Sequence, residues 1–118
     1  MSVALGSLET EVMQTLWQAG RPLTVRETLE SLNRDRSPVL AYTTVLTVLG
    51  RLTGKGALSR SAKGRGHAYV PVVPDEAALA VGDVLRTYGD QAVKHFMAHV
   101  GADPALRDRL VALLEKAQ

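Results

Sequence analysis

The sequence contains no cysteine, few aromatic residues and no long uncharged apolar run. The lack of cysteine excludes disulfide bonds, thiolate metal ligands and a cysteine nucleophile, and it leaves the redox compartment open. Aromatic residues make up only 4% of the 118 residues, so a core must be built mainly from Leu, Val and Ala. No stretch reaches the ~18 apolar residues that a membrane span requires, and the first residues lack the pattern of a signal peptide. We therefore expect a small soluble, cytoplasmic protein without membrane insertion.

Acidic residues are absent from the middle of the chain. Between Arg36 and Pro74 the sequence has six Lys or Arg residues and no Asp or Glu, whereas residues 1–35 and 75–118 each carry a net charge of −2. A basic segment between two mildly acidic ends is typical of a surface that binds a polyanion. A solvated basic surface would have the same composition, so charge alone leaves both interpretations open.

Two amphipathic helices are predicted before or at the edge of this basic segment. The first has apolar residues at three- and four-residue spacings, namely Leu5, Leu8, Val12 and Leu16. The second opens with Thr24 and Glu27 in the spacing of a capping box, in which each side chain accepts a hydrogen bond from the other residue's backbone N–H. A loop that contains Pro38 follows.

A third helix is predicted from about Tyr42 to Lys55, and its two sides differ in chemistry. One side is apolar and consists of Val45, Val48, Leu49 and Leu52. The other side carries small hydroxyl groups and cations without a carboxylate: Thr43, Thr44, Thr47, Gly50, Arg51 and Lys55. Threonine hydroxyls can bond base edges or phosphates, which favours a DNA-reading helix. An ordinary amphipathic helix with a threonine-rich solvent face is the alternative.

A basic hairpin is predicted after Gly56, which has the position of a left-handed helix stop. Strand-like runs at residues 57–62 and 67–73 flank the turn Lys63-Gly64-Arg65-Gly66. Three helices followed by a basic hairpin is the order of a winged helix-turn-helix, whose third helix enters the major groove. We therefore predict a mainly α fold with a small β-hairpin, in which residues 1–73 form the DNA-binding domain.

Residues 74–118 are predicted to form a helical dimerisation region. Their apolar residues recur at helical spacing in three stripes, and short helices cannot cover such stripes alone in water. The stripes must therefore fold back on the first domain or pair with a second copy of the chain. For the second case we expect these residues to form the dimer contact: Val81, Leu85, Tyr88, Phe96, Met97, Leu110 and Leu114.

Several motifs together resemble the BlaI/MecI family of penicillinase repressors. They are LETEVMQTLW at residues 8–17, TVRE at 24–27, AYTTVLTVLGRL at 41–52, KG at 55–56 and the wing-like GRGHAY at 64–69. The resemblance extends over nearly the whole chain and is strongest from Leu8 to Tyr69, whereas in the tail it depends on pattern. It implies a homodimeric repressor on a palindromic DNA operator, often for β-lactam resistance or other stress genes. It also implies a membrane-bound sensor metalloprotease that relieves repression by cutting the repressor.

The resemblance also assigns roles to individual residues. Combined with the pattern above, it gives this expected DNA-binding set: Tyr42, Thr43, Thr44, Thr47, Arg51, Lys55, Lys63, Arg65 and His67. Leu46 stands where some family members have an arginine, so a base contact there is missing or apolar. The Asn–Phe bond cleaved in staphylococcal members corresponds to His95–Phe96, where histidine replaces the asparagine. The copper-responsive branch has a cysteine-rich metal site and is excluded, because this chain has no cysteine.

An enzyme is not expected, and no cofactor is expected. His95 and His99 lie four residues apart on one helix face and could bind a metal, with Asp90, Asp103 or a second chain supplying a third ligand. Without a glutamate in the HExxH position or a phosphate-binding loop, we interpret them as two partly exposed histidines. The serious alternative to a DNA-binding repressor is a winged helix that binds another protein, because the fold serves both purposes.

Overall fold

A computed structural model describes residues 5–117 of the chain and contains six helices and three short strands. In chain order these are α1 (Ser7–Ala19), β1 (Leu23–Thr24), α2 (Val25–Asn33), α3 (Tyr42–Gly54), β2 (Leu58–Lys63), β3 (Gly66–Pro71), α4 (Glu76–Tyr88), α5 (Asp90–Ala102) and α6 (Pro104–Ala117). The mainly helical architecture with a small antiparallel sheet confirms the predicted fold class. None of the helices in the described residues is long and apolar enough to cross a membrane.

The described residues divide into two compact units, 5–80 and 81–117, and the division falls inside α4. The domain boundary expected at residues 73 and 74 stays a prediction. In the structure the first turn of α4 belongs to the first unit, and Leu79 in this turn is only 5% exposed and packs in that unit's core.

The core of the first unit lies between its three helices and its sheet. The α3 residues predicted to be buried, Val45, Val48, Leu49 and Leu52, are at most 5% exposed, which confirms the predicted apolar side of this helix. They pack with Val12, Met13 and Leu16 of α1, and with Tyr69 of β3. Trp17 also joins α1 to the end of the sheet, because its indole Nε1 donates a 2.8 Å hydrogen bond to the carbonyl oxygen of Val73.

Local capping interactions explain where α2 and α3 begin and end. The predicted capping box of α2 is confirmed: the Thr24 hydroxyl accepts from Glu27 N–H at 3.1 Å, and the Glu27 carboxylate accepts from Thr24 N–H at 2.9 Å. At the end of α3, Gly56 has a φ of 82°, Gly56 N–H donates to Thr53 O, and Ala57 N–H donates to Leu52 O. This pair of bonds is a Schellman motif, so the predicted glycine stop is confirmed.

The sheet has the order β1-β3-β2 and is antiparallel throughout. The hairpin strands begin or end one or two residues from the predicted bounds, and Lys63 pairs with Gly66 across the two-residue turn Gly64-Arg65. Gly64 has a φ of 61°, whereas Arg65, like every other non-glycine residue in 5–117, has a negative φ. This combination is typical of a type II′ hairpin turn. The strand β1 was not predicted; Leu23 pairs with Tyr69, and Thr24 pairs with Ala68.

The second unit consists of the end of α4 together with α5 and α6, as the three predicted stripes indicate. Within residues 81–117, only Val100 has a strongly buried side chain, and α6 has no buried residue. Many large apolar side chains of this unit are about half exposed in the single chain. The following dimer-contact candidates are between 46% and 64% exposed: Val81, Leu85, Tyr88, Phe96, Met97 and Leu114. Leu110, the remaining candidate, is half-buried.

Candidate nucleic-acid interface

The outer face of α3 carries the hydroxyl groups that the sequence places there. Thr43, Thr44 and Thr47 are exposed, and so is Arg51 one turn later. Tyr42, at the first position of the helix, is 44% exposed. No acidic residue lies in the first turn, and the N-cap residue Ala41 makes no side-chain cap. This face therefore offers donors and methyl groups to a partner, and it carries no carboxylate that would repel phosphate.

The wing, defined here as residues 58–71, presents a second basic surface of the same unit. Lys63, Arg65 and His67 are exposed at or beside the turn of the hairpin. Within residues 5–117, neither Lys63 nor Arg65 forms an ion pair with a carboxylate. Exposed cations on a hairpin are the groups with which winged helices in general hold a DNA backbone.

Lys55 differs from the other cations of the expected set because it contacts α1. Its Nζ lies 3.0 Å from both carboxylate oxygens of Glu9, and the Glu9 side chain is only 12% exposed. The pKa of Glu9 is lowered, first by the hydrogen bond from Gly6 N–H and then by Lys55 and the charge of Arg51, against an opposing effect of burial. The ammonium of Lys55 thus links the end of α3 to the start of α1.

Two features of this surface were not found from the sequence. The guanidinium of Arg26 on α2 lies over the ring of Tyr42, with Cζ 5.8 Å from the ring centre, which is a cation–π distance. Arg36, the first basic residue of the acid-free segment, pairs with Glu11 of α1. Both depend on contacts between parts of the chain that are separate in sequence, so helical periodicity could not indicate them.

The two histidines of α5 do not belong to a larger set of metal ligands. His95 and His99 are both exposed, and among residues 5–117 no three His, Asp or Glu side chains are grouped closely enough to hold one ion. The neighbouring Phe96 is 47% exposed. The bond between His95 and Phe96 lies inside a helix of 13 residues.

A sequence profile described as penicillinase repressor matches residues 5–117. This chain belongs to the penicillinase repressor family. The transcriptional regulator BlaI of Mycobacterium tuberculosis is 41% identical over 108 residues, which cover 86% of this chain and 77% of that protein. The family consists of transcriptional repressors. The chain's membership of this family therefore confirms the expectation that it is a regulator and not an enzyme.

Solved structures of the penicillinase repressor family agree with the winged-helix fold. The DNA-binding domain of a BlaI repressor is 29% identical, has a TM-score of 0.55, and aligns over 65% of this chain and 92% of that chain. The Bacillus licheniformis BlaI monomer, solved in complex with the blaP half-operator, is 28% identical, with a TM-score of 0.52 over 65% of this chain and 89% of that one. A more distant protein, hsRosR, covers 98% of this chain at 16% identity and a TM-score of 0.55, and it shows the fold alone.

Proposed function

We propose that this protein is a DNA-binding transcriptional repressor that acts as a homodimer on a palindromic operator. In this proposal α3 enters the major groove, Tyr42, Thr43, Thr44 and Thr47 contact bases or adjacent phosphates, and the wing lies on the backbone. The observation that carries the proposal is the acid-free surface that α3 and the wing expose on one compact unit. The half-operator complex of a related BlaI supports the same use of this fold.

The phosphate contacts are assigned to cations that form no ion pair with a carboxylate among residues 5–117. Lys63 and Arg65 are the strongest candidates, with His67 beside them on β3 and Arg51 on α3. Lys55 belongs to the expected set as well, but its pair with Glu9 suits it better to fixing the orientation of α3 than to binding phosphate.

The homodimer is proposed from the second unit. Its apolar side chains are about half exposed in one chain, and burying a large apolar side chain is worth roughly 1.5–3 kcal/mol, so a few pairs suffice for a stable dimer. Two tethered DNA-binding units hold an operator far more tightly than one, because the second unit binds at a high effective concentration.

Control of the repressor is proposed to act on the same region. A membrane-bound sensor metalloprotease would cut the second unit, with His95–Phe96 as the candidate bond, and the genes under control would be those of β-lactam resistance or a related stress response. Such a cut removes half of α5 and all of α6 without touching a DNA contact. Operator release then follows from loss of the dimer.

The test compares duplex binding by variants of the two surfaces. A duplex selected by the protein from a randomised pool and a scrambled duplex are titrated at two salt concentrations. Thr44→Ala and Thr47→Ala should weaken binding to the selected duplex only, because bases are read by α3. Lys63→Ala and Arg65→Ala should weaken both and reduce the salt slope by about 0.9 per lost phosphate contact.

Arg34→Ala is the control for charge, because it removes one exposed cation that lies outside the acid-free segment. It should leave both affinities close to those of the wild type. Failure of the wild type to bind either duplex in a salt-dependent way would contradict the proposed function.

A further inference from the structure

Leu46 is the apolar exception on the outer face of α3. Its side chain is 42% exposed, whereas Val45, Val48 and Leu49 beside it in the sequence are at most 5% exposed. On a helix its near neighbours on this face are Thr43 three residues before it and Gly50 four residues after it, with Thr47 adjacent in sequence. A large aliphatic side chain is thus partly exposed to water at the centre of the surface proposed to read DNA.

Gly50 leaves one flank of Leu46 uncovered. Apart from its two neighbours in sequence and the backbone of the helix itself, a Cβ at this position would meet no atom of residues 5–117 within 4 Å, so packing in this part of the chain does not require glycine here. Glycine inside a helix lowers stability relative to alanine. The packing of the chain therefore does not explain the glycine at position 50. A binding partner that approaches α3 closely beside Leu46 would explain it.

The major groove offers one apolar group to such a surface. Base edges there present hydrogen-bond donors and acceptors, and thymine adds its C5-methyl group, which apolar side chains and threonine methyl groups contact. Leu46 has no donor or acceptor, so it distinguishes bases only through this methyl group.

We infer that Leu46 is a specificity-determining residue that contacts a thymine C5-methyl group in each half-site, with Gly50 allowing the close approach. This inference rests on the proposed function, in which α3 lies in the major groove. The inference places a thymine of the operator opposite the middle of α3. At that position Leu46 recognises the methyl group of the thymine and not its hydrogen-bonding edge.

The experiment removes the methyl group alone. The probe is the duplex selected from a randomised pool, resynthesised with deoxyuridine in place of thymidine at one symmetric pair of positions at a time. At one such pair, the affinity of the wild type for the uracil duplex should be lower than for the thymine duplex by about fourfold per half-site. This is the loss of affinity expected for one buried methyl group. Leu46→Ala should bind the thymine and uracil duplexes equally at that pair.

Two further variants separate the contact from general damage. Leu46→Met keeps an apolar side chain of similar volume and should retain a preference for thymine at that pair. Val72→Ala shortens another exposed apolar side chain of the same unit, 57% exposed in the wild type, and should leave the preference at its wild-type value. Thermal unfolding of each variant checks that the first unit is intact.

The inference and the proposed function fail in different ways. If the wild type binds the selected duplex but no uracil substitution weakens it, or if the thymine preference persists in Leu46→Ala, the contact by Leu46 is wrong and DNA binding stands. If the wild type does not select any duplex from the pool, the proposed function itself is wrong.

Discussion

Glu9 and Lys55 form a partly buried ion pair between the first turn of α1 and the C-cap of α3. Both Lys55–carboxylate distances are 3.0 Å, and Glu9 also accepts a 2.9 Å hydrogen bond from Gly6 N–H. One carboxylate therefore accepts the N-cap N–H of α1 and balances the positive charge of Lys55 at the end of α3. Hydrogen bonds to charged groups contribute roughly 1.5–3 kcal/mol each, and removing one partner leaves the other poorly solvated.

This pair predicts a specific dependence of stability on pH. The folded-state pKa of Glu9 lies below its ordinary value of 4.5, chiefly because of the Gly6 N–H bond and then Lys55. The stabilisation is therefore fully present above that value and is lost as the pH falls through the lowered pKa. Urea unfolding of the wild type and Glu9→Gln at several pH values should show the variant to be less stable near neutral pH, with the two converging in acid.

Glu27 has a lowered pKa too, because Thr24 N–H donates to its carboxylate, so the wild type loses stability in acid for more than one reason. The difference between wild type and Glu9→Gln isolates Glu9. Stability curves that remain parallel down to strong acid would contradict the role assigned to this carboxylate.

At the scale of the element, α3 combines a well-packed inner side with an outer side that favours binding over helix stability. Its inner residues are buried, whereas the outer side has three threonines and Gly50, all weaker helix formers than alanine. The helix is held by the core and by the Schellman motif at Gly56. The outer residues are therefore better explained by a partner than by the helix itself.

Gly50→Ala tests this conflict between stability and binding. The new methyl group meets open space, so the free energy of unfolding should rise by roughly 0.5–1 kcal/mol. Affinity for the selected duplex should fall, because the methyl group occupies space that the groove needs. Chemical denaturation and duplex titration measure the two effects on the same preparation.

Gly101→Ala is the matched control. Gly101 also lies in a helix, α5, and its Cβ would also meet open space. This variant should gain stability without losing DNA affinity. An equal affinity loss in both variants would show that the effect does not come from the outer face of α3.

At the scale of the whole molecule, the two units have unequal cores. Residues 5–80 bury an apolar cluster to which three helices, the sheet and Leu79 contribute. Residues 81–117 leave most of their large apolar side chains about half exposed. The first unit therefore has what it needs to fold by itself, whereas the second is proposed to complete its core with a second copy.

A chain that ends at Tyr88 keeps α4 whole and removes α5 and α6. It should remain folded and sediment as a monomer, with affinity for a symmetric operator lowered by about 10²–10⁴-fold. A chain that ends at Pro74 also loses Leu79 and should be less stable by roughly 1.5–3 kcal/mol. Analytical ultracentrifugation measures the oligomeric state, thermal unfolding the stability and duplex titration the affinity. If the chain that ends at Tyr88 stays dimeric, the dimer contact lies in the first unit.

Much of the candidate site is determined by the sequence alone, because its causes are local. The inner side of α3 follows from the spacing of Val45, Val48 and Leu49, the helix stop from Gly56, and the tight basic turn from Gly64. Each of these depends on a few consecutive residues and on backbone preferences that act within one turn. The outer threonines follow from the same periodicity, since a helix with one buried side exposes the other.

Only the tertiary structure decided the features that join distant parts of the chain. The strand β1 has two residues and no pattern of its own, and it exists because Leu23 meets Tyr69. Lys55 has the sequence position of a phosphate-binding residue, yet it pairs with Glu9, 46 residues away. Leu79 lies in a helix assigned to the tail but is buried in the first unit. Periodicity and local chemistry specify an element and its faces, whereas the partner of each face depends on where the folded chain brings remote residues together.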